Sequence, residues 1–232
     1  PLVRALGAEL GTAVAAVHPR NGVDVRCGVQ VSGFDGDERG VRGVVLAGGE
    51  VVPADVVVVG VGVAPNTAWL ASSSLQLGDG IVCDSGLQAA PGVWAAGDCV
   101  CWPNLLFGDP ATGEAMRVEH WTNAAEQGAH AARNAMAAAN GEPASPYAAV
   151  PFFWSDQFDS RIQFVGRAHG DDDVQVFAGS TDGAFAALYG HGGRLRGVLG
   201  VSMPKMVMPF RALLSARLSW DDAVAAAAAM VS

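Results

Sequence analysis

The chain has 232 residues, half of them apolar, which is enough for one large or two ordinary cores. Its formal charge is −9, which disfavours nucleic acid as a partner, and no uncharged apolar run is long enough to span a membrane. The N-terminus, which opens with Pro1, lacks a basic region followed by an apolar run, so no signal peptide is expected.

The charge is uneven: residues 1–145 carry net −8 and residues 146–232 net −1. The four cysteines, Cys27, Cys83, Cys99 and Cys101, are few for the length. This points to a reducing, cytoplasmic setting without a disulfide framework. Cys99 and Cys101 form a C-x-C pair, but no second pair completes a zinc site, so no metal site is expected.

Leu2, Leu6, Leu10, Val14 and Val17 recur at helical spacing, and Asn21-Gly22 breaks the helix. Val23, Val25, Cys27, Val29 and Val31 alternate as in a half-buried strand. Val41 to Leu46 and Val51-Val52 flank Gly48-Gly49, a hairpin signature. Residues 56–59 are all valine, which predicts a central parallel strand apolar on both faces. Gly60-Val61-Gly62 closes it, and two glycines there allow either a tight turn or the approach of a flat ligand ring. A further strand is expected from Gly80 to Asp84.

Val93 to Gly97 reads as a short buried strand, with Asp98 at its carboxyl end. Open α/β sheets bind ligands at that edge, and a carboxylate there can accept from sugar hydroxyls; a strand followed by a plain turn fits equally. Residues 102–116, with Pro103 and Pro110, read as a surface loop. Asn123 is placed to cap a helix to about Ala139, with Glu126 completing a capping box. The amino end of that helix carries about half a positive charge. Asn140 to Pro146 reads as a linker. Beyond it come strands at 162–165, 174–177, 184–189 and 195–201, then helices at about 206–215 and 221–230, the second capped by Ser219. Strands followed by helices indicate an α+β domain.

Five stretches in this order, 56–66, 80–84, 93–100, 117–124 and 151–157, resemble the FAD-dependent ferredoxin reductases of the putidaredoxin and rubredoxin reductase type. The resemblance runs from about Leu2 to the C-terminus. It implies parts of doubly wound α/β nucleotide-binding domains followed by a C-terminal α+β reductase domain. Residues 1–66 would be the second half of the NAD-binding domain. Residues 67–145 would be the C-terminal part of the FAD-binding domain, and residues 146–232 the C-terminal domain.

The resemblance also implies the site. Asp98 would bond the ribityl chain of FAD beside the backbone of Val100. Trp121 would lie against the flavin, the N–H groups near Thr122 and Asn123 would meet its pyrimidine edge, and Trp154 would close over it. Glu119 would lie near the nicotinamide carboxamide of NAD(P)H, and Gly60, Val61 and Gly62 on the nicotinamide side. The implied reaction passes electrons from NADH through the flavin to a ferredoxin- or rubredoxin-like iron–sulfur protein. No G-x-G-x-x-G turn occurs in the chain, so it reads as about the carboxyl half of such an enzyme, itself inactive. Unpaired sheet edges then favour a homodimer or swapped dimer. A disulfide or nitrite reductase subunit, an apoptosis-inducing-factor-like flavoprotein and a non-catalytic binding module are the alternatives. His120, between Glu119 and Trp121, departs from the smaller or apolar residue expected there.

Overall fold

The computed structural model describes residues 2 and 6–231. Their contacts form two compact units, residues 18–64 and residues 2, 6–17 and 65–231. The expected first helix is shorter than its apolar pattern. It folds as α1 (Ala8–Ala15) and α2 (Val17–Arg20), and ends at the Asn21-Gly22 turn, where Gly22 takes φ +77°. Leu2 lies outside the helix, and residues 1 and 3–5 lie outside the described residues. Leu6, Leu10 and Val14, four apart and so on one face, are buried against Phe164, Phe185 and Tyr189. The Tyr189 hydroxyl donates to the Leu6 carbonyl at 2.8 Å.

In the unit 18–64, β1 (Val31–Asp37), β2 (Gly40–Leu46) and β3 (Val51–Pro53) form an antiparallel sheet in that order. The Gly48-Gly49 hairpin forms as its sequence indicates, with Gly49 at φ +84°. Two expected strands do not form. Residues 23–30 have no ladder, and Val23, Val25 and Val29 are exposed. The valine run 56–59 is neither a strand nor central: Val58 is 90% exposed. A run apolar on both faces needs a strand beside it and cover on both sides. Among the described residues of this unit, the ladders pair only β1 with β2 and β2 with β3.

The larger unit opens, after residues 6–17, with a 3-10 turn at Ala68–Leu70. β4 (Leu77–Gly78), β5 (Gly80–Val82), β6 (Gln88–Ala90), β7 (Val93–Trp94), β8 (Val100–Asp109) and β9 (Gly113–Arg117) follow. One sheet runs β4-β5-β8-β9, with β5 parallel to β8, and β6 pairs with β7. Two corrections follow. The strand expected over 93–97 is only β7, and Gly97 and Asp98 form the turn that leads into β8, where the Val100 amide donates to the Gly97 carbonyl at 3.0 Å. The expected loop 102–116 is instead the β8–β9 hairpin. Val100, Trp102 and Asn104 are buried at the two-residue period of a strand, while Pro103 faces the other way. The hairpin end is shaped by the Asp109 carboxylate, which accepts from the amides of Ala111 and Thr112.

The helix expected from Asn123 is α3 (Trp121–Ala139), with His120 rather than Asn123 at its N-cap. Asn123 lies inside the first turn, where it donates to the Val118 carbonyl and accepts from the Tyr147 hydroxyl. Glu126 pairs with Arg211 instead of closing a capping box. Asn123, Gln127, Ala131 and Asn134 mark the buried face. Residues 140–151 contain no helix or strand, and Asn134 anchors the segment through Ser145.

The last part is an antiparallel sheet of order β10-β11-β14-β13-β12. Its strands are β10 (Phe152–Gln157), β11 (Ser160–Gly166), β12 (Asp173–Gly179), β13 (Phe185–His191) and β14 (Arg194–Val201). The four expected strands are present, and β10 is an addition. The helix expected at 206–215 divides into α4 (Pro204–Val207) and α5 (Phe210–Ser215). α6 (Trp220–Val231) is capped by Ser219, whose hydroxyl accepts from the Asp222 amide at 3.2 Å. One sheet face packs on α1, and the other packs on Val207, Phe210, Leu214 and Ala223. Cover on both faces explains why β13 is buried from Phe185 through Gly190. Each fully buried large side chain there, such as Phe210, contributes roughly 1.5–3 kcal/mol. Among the described residues, no helix is long and apolar enough to cross a membrane.

Candidate functional site

The Gly97-Asp98 turn docks on the first two turns of α3. The Gly97 amide donates to Gln127 Oε1 at 2.8 Å, and Gln127 is fully buried. Gly97 takes φ +90°, a region costly for residues with a Cβ, and its nearest neighbour there is the Ala124 methyl. The turn therefore lies close against the helix start. Its second residue, Asp98, is exposed, and its carboxylate has no hydrogen-bond or ion-pair partner among the described residues. The Asp98 carbonyl is held by Arg117 at 3.2 Å.

At the helix end, His120 is in extended conformation and supplies no side-chain cap. The first amides of the helix therefore keep the unsatisfied donors common to helix starts, together with the positive end of the helix dipole. Trp121 stands there 79% exposed. Thr122 turns the other way and donates its hydroxyl to the Phe152 carbonyl at 3.1 Å. The His120 ring packs 5.2 Å from the Phe153 ring. These two contacts fix the start of α3 against β10, the strand that carries Trp154. Trp154 is 44% exposed, with its ring 5.6 Å from Phe152. Burial lowers the pKa of His120 despite the opposing pull of Asp98 and Glu119, which favours the neutral ring.

Glu119 is held by Arg117, whose guanidinium also takes Asp79 at 2.8 Å. Arg117 is 14% exposed, so this cation organises Asp79, Glu119 and the Asp98 carbonyl at once. Arg117, Glu119 and His120 line one side of a cavity of about 410 Å³, with Phe153 and Arg167 also in its walls. Val100 is buried, and its amide is engaged by Gly97. Asp98, Glu119, Trp121, Thr122 and Asn123 thus belong to one neighbourhood at the helix start, and Trp154 stands on β10, the strand against which that start is fixed. Gly60, Val61 and Gly62 lie in the unit 18–64, all exposed, with Gly62 at φ +97°.

Gln127 and Arg117 were missed in the sequence. A glutamine on the apolar side of an alanine-rich helix, and an arginine two residues from a glutamate, were the available signals. The cysteines make no disulfide, and burial pushes the Cys83 thiol up to about 12. This donor and acceptor set fits a flavin: an unpaired carboxylate for the ribityl hydroxyls, a helix end for the polar ring edge, and exposed indoles for the flat ring.

Residues 1–128 match the pyridine nucleotide-disulphide oxidoreductase family, and residues 152–231 match the reductase C-terminal family. The 5,5'-dehydrodivanillate O-demethylase ferredoxin reductase subunit of Sphingobium sp. is 37% identical over 216 residues, 92% of this chain and 50% of that protein. Rhodocoxin reductase of Rhodococcus erythropolis is 32% identical, over 94% of this chain and 49% of its own length. Among solved structures, the covalent putidaredoxin reductase–putidaredoxin complex aligns with a TM-score of 0.80 at 30% identity, covering 92% of this chain and 50% of that one. The chain spans about half the length of the relatives it matches.

Proposed function

Because the chain belongs to the pyridine nucleotide-disulphide oxidoreductase family, we propose that it supplies the flavin-ring end and the C-terminal domain of an FAD-dependent NAD(P)H:ferredoxin or rubredoxin oxidoreductase. In this reading residues 1–66 belong to the NAD-binding domain, 67–145 to the FAD-binding domain and 146–232 to the C-terminal reductase domain. The observation that carries it is the Gly97-Asp98 turn. Gln127 holds it against an uncapped helix start, so that an unpaired carboxylate and an exposed indole stand at one helix end.

When bound, FAD supplies the exchange between two-electron and one-electron chemistry. Asp98 would accept from ribityl hydroxyls. The amides near Thr122 and Asn123, with the helix dipole behind them, would favour negative charge on the ring edge by roughly 0.3–2 kcal/mol. Trp121 and Trp154 would cover the ring and exclude water. Glu119, positioned by Arg117, would accept from the nicotinamide carboxamide of NAD(P)H; in the unit 18–64, the Gly60-Val61-Gly62 turn would let a flat ring such as nicotinamide come close to backbone. No side chain is asked to act as a base. The electron acceptor is an iron–sulfur protein, in keeping with the ferredoxin, rhodocoxin and putidaredoxin named for the relatives. The cytoplasm is the proposed location, consistent with four free cysteines.

The test is complementation. The purified 232-residue chain is expected to hold well under one FAD and to reduce no acceptor with NADH, since it has no Gly-rich phosphate turn. Co-expression with the amino-terminal half of a relative, which carries those turns, should give a yellow complex. No flavin retention in that complex would overturn the proposal.

A further inference from the structure

Between the β8–β9 hairpin and the β13–β14 hairpin lies a second cavity, of about 340 Å³. Its walls include Phe107, Pro110, His191, Arg194, Arg196 and Arg217. Three guanidiniums and an imidazole thus line one small space in a chain of net charge −9.

Each arginine is fixed, and two of them are fixed without an acid. Arg217 donates Nη1 to the Leu105 carbonyl at 2.6 Å and Nη2 to the Gly108 carbonyl at 3.1 Å. Arg194 donates Nη1 to the Arg217 carbonyl at 2.9 Å. Carbonyl oxygens orient a guanidinium but leave its formal charge whole; among the described residues neither Arg194 nor Arg217 has a carboxylate oxygen at salt-bridge distance, while Asp109 acts on Arg217 electrostatically from farther off. Arg217 holds this position at φ +54°, a backbone region that disfavours side chains. Arg196 does pair, through Nη2 to Glu114 Oε2 at 2.6 Å, and lies over the Phe107 ring. Its Nε–H is buried with no hydrogen-bond partner. A buried cationic donor without an acceptor is costly, and an acceptor in the adjoining cavity would satisfy it.

The acids nearby are mostly engaged. Asp109 takes the amides of Ala111 and Thr112, and Asp172 takes the His169 amide at 2.8 Å. Asp171 and Asp172 approach His191 Nδ1 at 3.9 and 3.5 Å, while Asp172 and Asp109 also act electrostatically on Arg196 and Arg217.

We propose that this cavity is an oxyanion site that takes a phosphate group, either as free phosphate or as a small phosphate monoester. Guanidinium forks match the oxygens of phosphate, and a phosphate oxygen would supply the acceptor that the Arg196 Nε–H lacks. The volume lies at the lower end for ligand pockets, which suits a small anion. The site is separate from the helix-end site, and its assignment stands without the flavin reading.

The test is calorimetric titration of the 232-residue chain with inorganic phosphate and with ribose 5-phosphate, each against sodium chloride at equal ionic strength. Saturable binding of phosphate, absent with chloride, is expected. Equal affinity for both probes identifies free phosphate as sufficient, and tighter binding of the ester identifies a monoester; both support the site. Arg194→Gln, on an exposed side chain, should weaken binding about tenfold or more while leaving the melting temperature in chloride unchanged. Arg133→Gln, outside the cavity, should leave binding unchanged. No saturable phosphate binding by the unaltered chain, or binding equal in Arg194→Gln, would overturn the proposal.

Discussion

The Gly97 amide and the Gln127 side chain meet at 2.8 Å across thirty positions of sequence. This partly buried bond joins the Asp98 turn to α3, and every role proposed for Asp98 depends on the placement it gives. Gln127→Ala leaves the Gly97 donor without its partner and opens a gap in a packed face. The expected cost is about 1–3 kcal/mol, seen as a lower denaturation midpoint in urea. An unchanged midpoint would show that the turn is held by other contacts.

Glu114 gives stability a defined pH dependence. Burial pushes its pKa up, but the hydrogen bond from Arg196 and the charges of Arg167, Arg196 and His169 outweigh it, so the carboxyl lies below its ordinary value. A group depressed in the folded state stabilises above its unfolded pKa, about 4.3 for Glu, and loses that contribution as pH falls through the folded value. Glu114→Gln should therefore be less stable than the unaltered chain at pH 7, by roughly 1–3 kcal/mol. The difference should shrink towards zero below about pH 4. Denaturation curves at pH 7 and pH 3 check this; an equal difference at both would mean that the ion pairs do not contribute.

Trp121 is 79% exposed, so its removal should barely affect folding. In the full-length flavoprotein, Trp121→Ala should change the rate of flavin reduction by NADH at an unchanged melting temperature. Stacking of Trp121 on the ring, if it holds the proposed place, would contribute about 0.5–1.5 kcal/mol beyond area burial. A melting temperature several degrees lower, with an unchanged rate per folded molecule, would make Trp121 a packing residue.

Local signals carried much of this structure. The Leu6, Leu10, Val14 stripe, the Gly48-Gly49 hairpin, the four strands after residue 160 and the Ser219 cap are each written in a few adjacent residues. Failures came where tertiary partners decide. The valines at 56–59 have the composition of a central strand but no described strand beside them, and a ladder needs both sides. Pro103 and Pro110 mark turns by composition, yet the buried alternation of Val100, Trp102 and Asn104 prevails because the intervening Pro103 faces away from that core. Asn123 has the chemistry of a cap, but Tyr147, twenty-four residues on, engages its side-chain oxygen inside the first turn. The site followed the same division. Asp98 was read from a Gly-Asp turn and Trp121 only from the family resemblance, whereas the support from Gln127 and Arg117 acts through space.

Asp98 is proposed to face the ribityl chain of bound FAD. The direct test is FAD retention by the full-length flavoprotein under serial dilution, unaltered against Asp98→Ala, followed by free-flavin fluorescence. Loss of a charged acceptor should cost roughly 1.5–3 kcal/mol, or about ten- to a hundredfold in affinity, with no fall in the melting temperature of the apoprotein. Equal FAD retention by both proteins would show that Asp98 does not hold the ribityl chain.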